Sequence, residues 1–408
     1  MSRSRAVVMG AGIIGAACAR ELVHAGFEVV VVDRGGPASA TTAHGEGNVL
    51  VSDKGPGPEL RLAQRSRALW PEVLDGMAAG PAGARGAEAA EWWPKGGIVV
   101  ATTPEGAVAL RGFAEEQRGA GVRAEELDAA ALAEAEPRVT RAHTAAVHYP
   151  EDAQVQPAGA GAALLADALA RGARLHTGCE VTGAVVSGGR LTAVRHPRGT
   201  VEGDLFVNAA GPWSGGLAAR LGAPVHVEPR RGDILVTAPL PPTVFHKVYD
   251  ADYVGAVGSG EETLQTSAVV ESTRAGSILI GSSRRRVGFD DRLRPEVLSA
   301  VARKALRLFP CLASATLTRA YGGFRPYVPD HLPIIGPDPR LPGLWHATGH
   351  EGAGIGLSLG TARLLAELAS GREPGADAAA FRVDRPAVLD PPRRVPRAGR
   401  EETGKESA

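Results

Sequence analysis

Six consecutive residues, Gly10-Ala11-Gly12-Ile13-Ile14-Gly15, carry the first recognisable chemistry of this 408-residue chain, because they match the spacing G-x-G-x-x-G. Gly10 permits a tight turn, Gly12 lets a phosphate approach the backbone with no Cβ in the way, and Gly15 lets a following helix lie close on a sheet. A helix starting here, with Ile14 in its first turn, presents free N–H groups and its positive dipole end to an anion. About 20 residues further on stands Asp33, where an acidic side chain can bond a ribose hydroxyl. Pyrophosphate and ribose contacts at this spacing together point to an adenine dinucleotide.

The elements that must position these residues agree with that reading. Ala6–Met9 is a short apolar run bounded by glycine, hence a buried strand. The helix should run from about Ile13 to Ala25 with Gly26 at its C′ position, and Phe27–Val32 supplies the next, β-branched strand. Met1-Ser-Arg-Ser-Arg before an apolar stretch also resembles a signal peptide, and Gly15-Ala-Ala-Cys18 a lipoprotein cleavage site. Cleavage there would remove the strand and all three glycines, so a cytoplasmic protein is expected, with Cys18 a small buried helix residue.

Lys plus Arg and Asp plus Glu are both 45, which leaves no net field to favour nucleic acid or an anionic membrane. The 3 cysteines (Cys18, Cys179, Cys311) are far apart with no C-x-x-C pair, arguing against a disulfide scaffold, a metal site or an iron–sulfur cluster. No apolar run is long enough to span a bilayer, so at most peripheral membrane contact is expected. The length calls for two domains.

After Asp33 comes a loop of small residues containing Thr41, Thr42, Gly45, Gly47 and Asn48, then a helical stretch from about Glu59 to Met77. Here the chain resembles the FAD-dependent amino-acid and amine oxidoreductases, the family of D-amino acid oxidase, glycine oxidase, D-amino acid dehydrogenase and sarcosine oxidase β-type subunits. The resemblance implies that Thr41, Thr42, Gly47 and Asn48 lie along the flavin; His44 and Glu46 are atypical and fit either loop solvation or flavin contact. Trp92-Trp93 reads as core or domain contact. A strand at Gly97–Thr102, helices near Glu105–Gly119 and Asp128–Ala135, an alanine-rich helix ending near Arg171 and a glycine-turned hairpin at Ala184–Val194 follow. The resemblance puts a strand at Glu180-Val181, with Val181 against the adenine, and makes VNAAGPWS (Val207–Ser214) a second fingerprint with Ala210 and Gly211 near the dinucleotide. Between Ala218 and Thr318, short β runs at Val225–Glu228, Asp233–Thr237, Val244–Tyr249, Leu264–Val270 and Ser277–Gly281 predict an antiparallel sheet. Arg284-Arg285-Arg286 reads as a solvated loop face or a docking surface, and Pro295–Phe309 has helical spacing.

In the C-terminal third, Tyr321–Gly336 resembles the family segment whose arginine grips the substrate carboxylate. That residue is Arg325, whose planar guanidinium suits two parallel bonds to a carboxylate, with a structural ion pair as the alternative. Leu344–Ser358 repeats the logic of strand, small loop and helix N-terminus. By resemblance, Gly349, Gly352, Gly354 and Ile355 then stand beside the flavin's pyrimidine end. His350 either borders the flavin ring or caps the turn. Tyr327-Val328 stands where a covalent flavin attachment would need cysteine, so the FAD is expected to be non-covalent.

The implied fold is α/β (α+β overall): a Rossmann-type FAD-binding domain over 1–85, 140–217 and 319–385, an interleaved antiparallel-sheet substrate domain over 86–139 and 218–318, and a disordered tail over 386–408. The implied activity is oxidation of a C–N bond in a D-amino acid, glycine-like, proline-like or related secondary amine, by hydride transfer to flavin, as oxidase or dehydrogenase. The alternatives are an FAD-carrying subunit dependent on electron-acceptor or partner subunits, and a nicotinamide-dependent dehydrogenase that would leave VNAAG and TGHEGAG without a task.

Overall fold

The computed structural model describes residues 3–252 and 263–390. Its first sheet has six strands in the order β18 (Ile334–Pro337), β19 (Leu344–Thr348), β12 (Leu205–Asn208), β1 (Arg5–Met9), β2 (Glu28–Val32) and β8 (Arg174–His176). All neighbours pair parallel except β18 with β19. Side chains alternate across a strand, so the apolar runs of β1 and β2 serve two cores at once. Ala6, Val8, Val29 and Val31 pack under the helices, whereas Val7, Met9, Val30 and Val32 face Leu191, Val194 and Phe206. The helical layer contains Ile13–His24, Pro157–Ala170, Gly354–Ala369 and Pro58–Ala78. The opposite face carries a three-stranded meander, β9 (Gly183–Ser187), β10 (Arg190–His196) and β11 (Gly199–Glu202), whose first two strands are the expected glycine-turned run. Residues 180–181 are irregular chain, not the strand expected there.

The larger sheet has eight strands: β17 (Leu317–Tyr327), β13 (Glu228–Thr237), β16 (Ile278–Arg284), β15 (Gln265–Ser272), β14 (Lys247–Asp250), β4 (Gly97–Ala101), β6 (Ala145–Tyr149) and β5 (Glu125–Glu126). It is mixed rather than purely antiparallel, because β14 runs parallel to β4. β6 and β17 belong to it although β6 and most of β17 fall within 140–217 and 319–385. One face is closed by the helix Pro295–Leu308, whose Val297, Val301, Ala305 and Leu308 form the buried stripe that an i, i+4 repeat dictates. A two-stranded ribbon, β3 (Asn48–Val49) with β7 (Ala153–Gln154), lies between the sheets' connections. Trp92 stacks on the buried Trp70 at 6.0 Å, a core contact as expected.

Three further sequence expectations need correcting. Val225–Glu228 is not a separate strand: β13 begins at Glu228, and Val225 and Val227 pack instead on Val328, Ile334 and Val388. The arginine triplet is no solvated loop. Arg284 ends β16, and Arg284 and Arg285 are buried, Arg285 pairing with Asp233 at 2.9 Å. The start of the expected disordered tail is ordered, since Pro386–Leu389 forms a helical turn that buries Val388 and His226 N–H donates to the Val388 carbonyl at 2.8 Å. The rest of that tail, 391–408, lies outside the described residues.

Candidate active site

A cleft of about 400 Å³ opens at the carboxyl ends of β1, β2 and β12, where ligands of open α/β sheets bind, and reaches the exposed face of β13 and β17. At the first end, Gly10 leaves β1 with φ +119°, and a Cβ there would fall 2.4 Å from the Ala209 carbonyl oxygen. Gly15 stands behind the cleft: its Cβ would meet the Gly10 carbonyl at 1.9 Å, so the helix touches the strand turn directly. Gly12 and Ile14 line the cleft, and Ile13 N–H donates to Thr42 Oγ1 at 3.0 Å. Asp33 accepts from Ala11 N–H at 2.7 Å and Gly35 N–H at 2.6 Å, which fixes its carboxylate beside the turn. Val181, Ala210 and Gly211 line the same end.

In the middle, Thr41, Thr42 and Asn48 form one wall, and Thr41 Oγ1 donates to the Phe324 carbonyl at 2.9 Å, tying the loop to β17. Gly47 is set back: its φ is +85° and its Cβ would lie 1.9 Å from the Val155 carbonyl, so glycine here lets β3 meet the β7 segment. His44 Nδ1–H donates to the Ala40 carbonyl (2.8 Å), and the ring stands edge-on to Tyr321. Glu46 lines the cleft and is only 7% exposed, with no hydrogen-bond partner on Oε1, so loop solvation does not describe it.

At the far end Arg325 projects from β17 across Gly232, where a Cβ would sit 2.1 Å from its Nη1, and that nitrogen donates to the Ser283 carbonyl at 2.9 Å. Gly352, Gly354 and Ile355, at the start of the helix Gly354–Ala369, line the adjoining wall. Gly349 does not: with φ +81° its Cβ would meet Val328 Cγ2 at 2.6 Å, and it serves the turn out of β19. His350 is buried and its Nε2 is 3.0 Å from Thr361 Oγ1; burial pushes the ring down to about 3, so it is neutral at physiological pH. Glu351 joins Arg230 (3.0 Å) and His331 (2.8 Å).

Several wall residues were not singled out in the sequence. Trp213 stacks on Phe289 at 5.4 Å, Phe289 meets Phe324 edge-on at 5.2 Å, and the Arg34 guanidinium lies 4.0 Å over Trp213. These four come from four distant segments, and only Trp213 and Phe324 sat inside recognised motifs. Among the described residues no group of three or more His, Cys, Asp or Glu could hold a metal, and no helix is long and apolar enough to cross a membrane.

The donor set fits a flavin dinucleotide. One helix N-terminus with clearing glycines and an acid stands at one end, a second helix N-terminus at the other, and hydroxyl and amide side chains between them. Comparison with known proteins bears on this directly. Residues 5–368 match the family model described as FAD dependent oxidoreductase. The chain is 30% identical over 408 aligned positions to the glycine oxidase of Pseudomonas aeruginosa, covering 92% of this chain and 98% of that protein. It is also 30% identical to the bifunctional protein ThiO/ThiG of Nostoc, covering 89% of this chain but spanning only 52% of that protein's length. The crystal structure of glycine oxidase from Geobacillus kaustophilus superposes with a TM-score of 0.83 at 27% identity, over 94% of this chain and 99% of that one.

Proposed function

The chain belongs to the DAO family of FAD-dependent oxidoreductases, an enzyme acting on amines or amino acids with FAD as cofactor, and from that premise we propose that it oxidises the C–N bond of a carboxylate-bearing amine. Glycine-like, proline-like and D-amino acids are the substrate class, with non-covalent FAD. The observation that carries the carboxylate part is Arg325, a guanidinium held at the cleft's far end beside the second helix N-terminus.

Bound FAD supplies the hydride acceptor and passes the electrons on. This chain's residues do the rest. Gly12, Thr42 and Asp33 are the binding set for pyrophosphate and ribose, and Thr41, Asn48, Val181, Ala210 and Gly211 are further wall contacts. Gly352, Gly354 and Ile355 supply a helix N-terminus that would stabilise negative charge on a bound flavin. Arg325 orients the substrate by paired bonds to its carboxylate. Phe324, Phe289 and Trp213 keep water from the reacting carbon. His350, neutral and bonded to Thr361, positions this wall and moves no proton. Loss of hydride from a carbon bearing a neutral amine requires no base, and the imine formed hydrolyses in water.

The test is to purify the chain, record its visible spectrum, and add glycine, sarcosine, proline and a set of D-amino acids without oxygen. Bleaching by at least one carboxylate-bearing amine is expected. A colourless protein, or a yellow one that none of these bleaches, refutes the reading.

A further inference from the structure

Glu46 is a cleft residue whose chemistry the reading above leaves unused. It is 7% exposed, its Oε1 has no hydrogen-bond partner, and among the described residues it makes no ion pair. An unpaired buried carboxylate is costly, so a cation or donor is missing from its surroundings. Glu271 adds a like charge to these surroundings and is itself held by Lys247 at 2.8 Å. The sheet is shaped for this carboxylate: a Cβ at Gly281 would come within 2.0 Å of Glu46 Oε1. The same device stands under Arg325, where Gly232 is cleared for the guanidinium. Both charged heads therefore rest on β16, Glu46 at Gly281 and Arg325 at the Ser283 carbonyl two residues further along the same strand.

We propose that Glu46 binds the substrate nitrogen, so that an amino acid lies with its carboxylate on Arg325 and its amine on Glu46. This rests on the carboxylate-amine reading and narrows it: the nitrogen must carry at least one N–H donor, and amino acids are favoured over carboxylates lacking nitrogen. An N–H to carboxylate bond is charge-assisted through the carboxylate, and it serves the neutral amine from which hydride departs.

The experiment titrates the flavin absorbance of the FAD-loaded protein with two ligand sets, amino acids without oxygen and their hydroxy-acid or simple carboxylate counterparts. In Glu46→Gln, the Kd or KM for amino acids should rise at least tenfold while the carboxylates bind as in wild type or tighter. Glu46→Asp should recover part of the loss. Gly281→Ala, which crowds the carboxylate without removing it, should shift the same ligand set. Equal loss for both sets, no loss for either, or release of FAD would overturn the proposal, the last by making Glu46 a cofactor contact. If instead wild type responds to the carboxylates but to no amine, the proposed function itself fails, whatever the variants do.

Discussion

Arg325→Ala is the substitution on which the substrate class turns. The guanidinium is partly buried, fixed by the Ser283 carbonyl at 2.9 Å and laid across Gly232, so it is oriented before any ligand arrives. Truncating one partner of a hydrogen-bonded charge pair costs about 2–5 kcal/mol when the pair is buried. Partial exposure in an open cleft screens the pair and places the loss in the lower half, about 2–3 kcal/mol. At about 1.4 kcal/mol per tenfold, kcat/KM for carboxylate substrates should fall by roughly 30- to 140-fold. Arg325→Lys should recover only part, because an ammonium cannot make two parallel bonds. Steady-state kinetics on an amino acid and on the amine lacking its carboxylate form the assay, with FAD content measured alongside. The decarboxylated amine should be a poor substrate of the wild type and lose nothing further. An equal fall on both substrates, or loss of flavin, would make Arg325 a structural residue.

Two further outcomes are expected. Gly12→Val puts a branched Cβ beside Thr42 Oγ1, where even one Cβ carbon would come to 3.3 Å, and fills the pyrophosphate approach; the protein should purify folded but colourless, and wild-type flavin content would refute the dinucleotide assignment. Asp152 is wholly buried, accepts Val51 N–H at 2.9 Å and is bonded by Ser52 Oγ, and burial pushes its carboxyl up from 3.8 to about 7. A raised carboxyl stabilises fully below the unfolded pKa and loses that contribution as pH rises through the folded value, so this group makes melting temperature decline between about pH 4 and about pH 7. Asp152→Asn should flatten that decline in calorimetry; an unchanged slope assigns it to other groups.

The opening βαβ unit was legible because each of its signals is local. Consecutive apolar residues mark a strand buried on both faces, the glycine turn follows within a few residues, and the helix closes on Gly26, which takes φ +92°. The helix Pro295–Leu308 was legible for the same reason, its buried stripe being a spacing within one element. Strand direction in the larger sheet was not. Lys247–Asp250 pairs parallel with Gly97–Val100, a partner about a hundred and fifty positions away, and nothing in either run encodes which neighbour it meets.

The same limit decides what could be read of the site. Gly10, Gly12, Gly15, Gly47, Gly349, Gly352 and Gly354 look alike in sequence because lacking a Cβ serves a ligand's approach and a backbone's approach equally. Only the third dimension separates Gly12, Gly352 and Gly354, on the cleft, from Gly15, Gly47 and Gly349, which lie against Gly10, Val155 and Val328. Charge is harder still, since an arginine run is solvated in most loops, yet here β13 brings Asp233 and β16 brings Arg285 to within 2.9 Å, and pairing makes burial tolerable. Glu46 is the converse case. Its loop reads as polar and open, and what buries it is Gly281 on a strand far along the chain. A buried charge with a partner is accounted for by the fold alone, whereas one without a partner points beyond the chain to what the cleft receives.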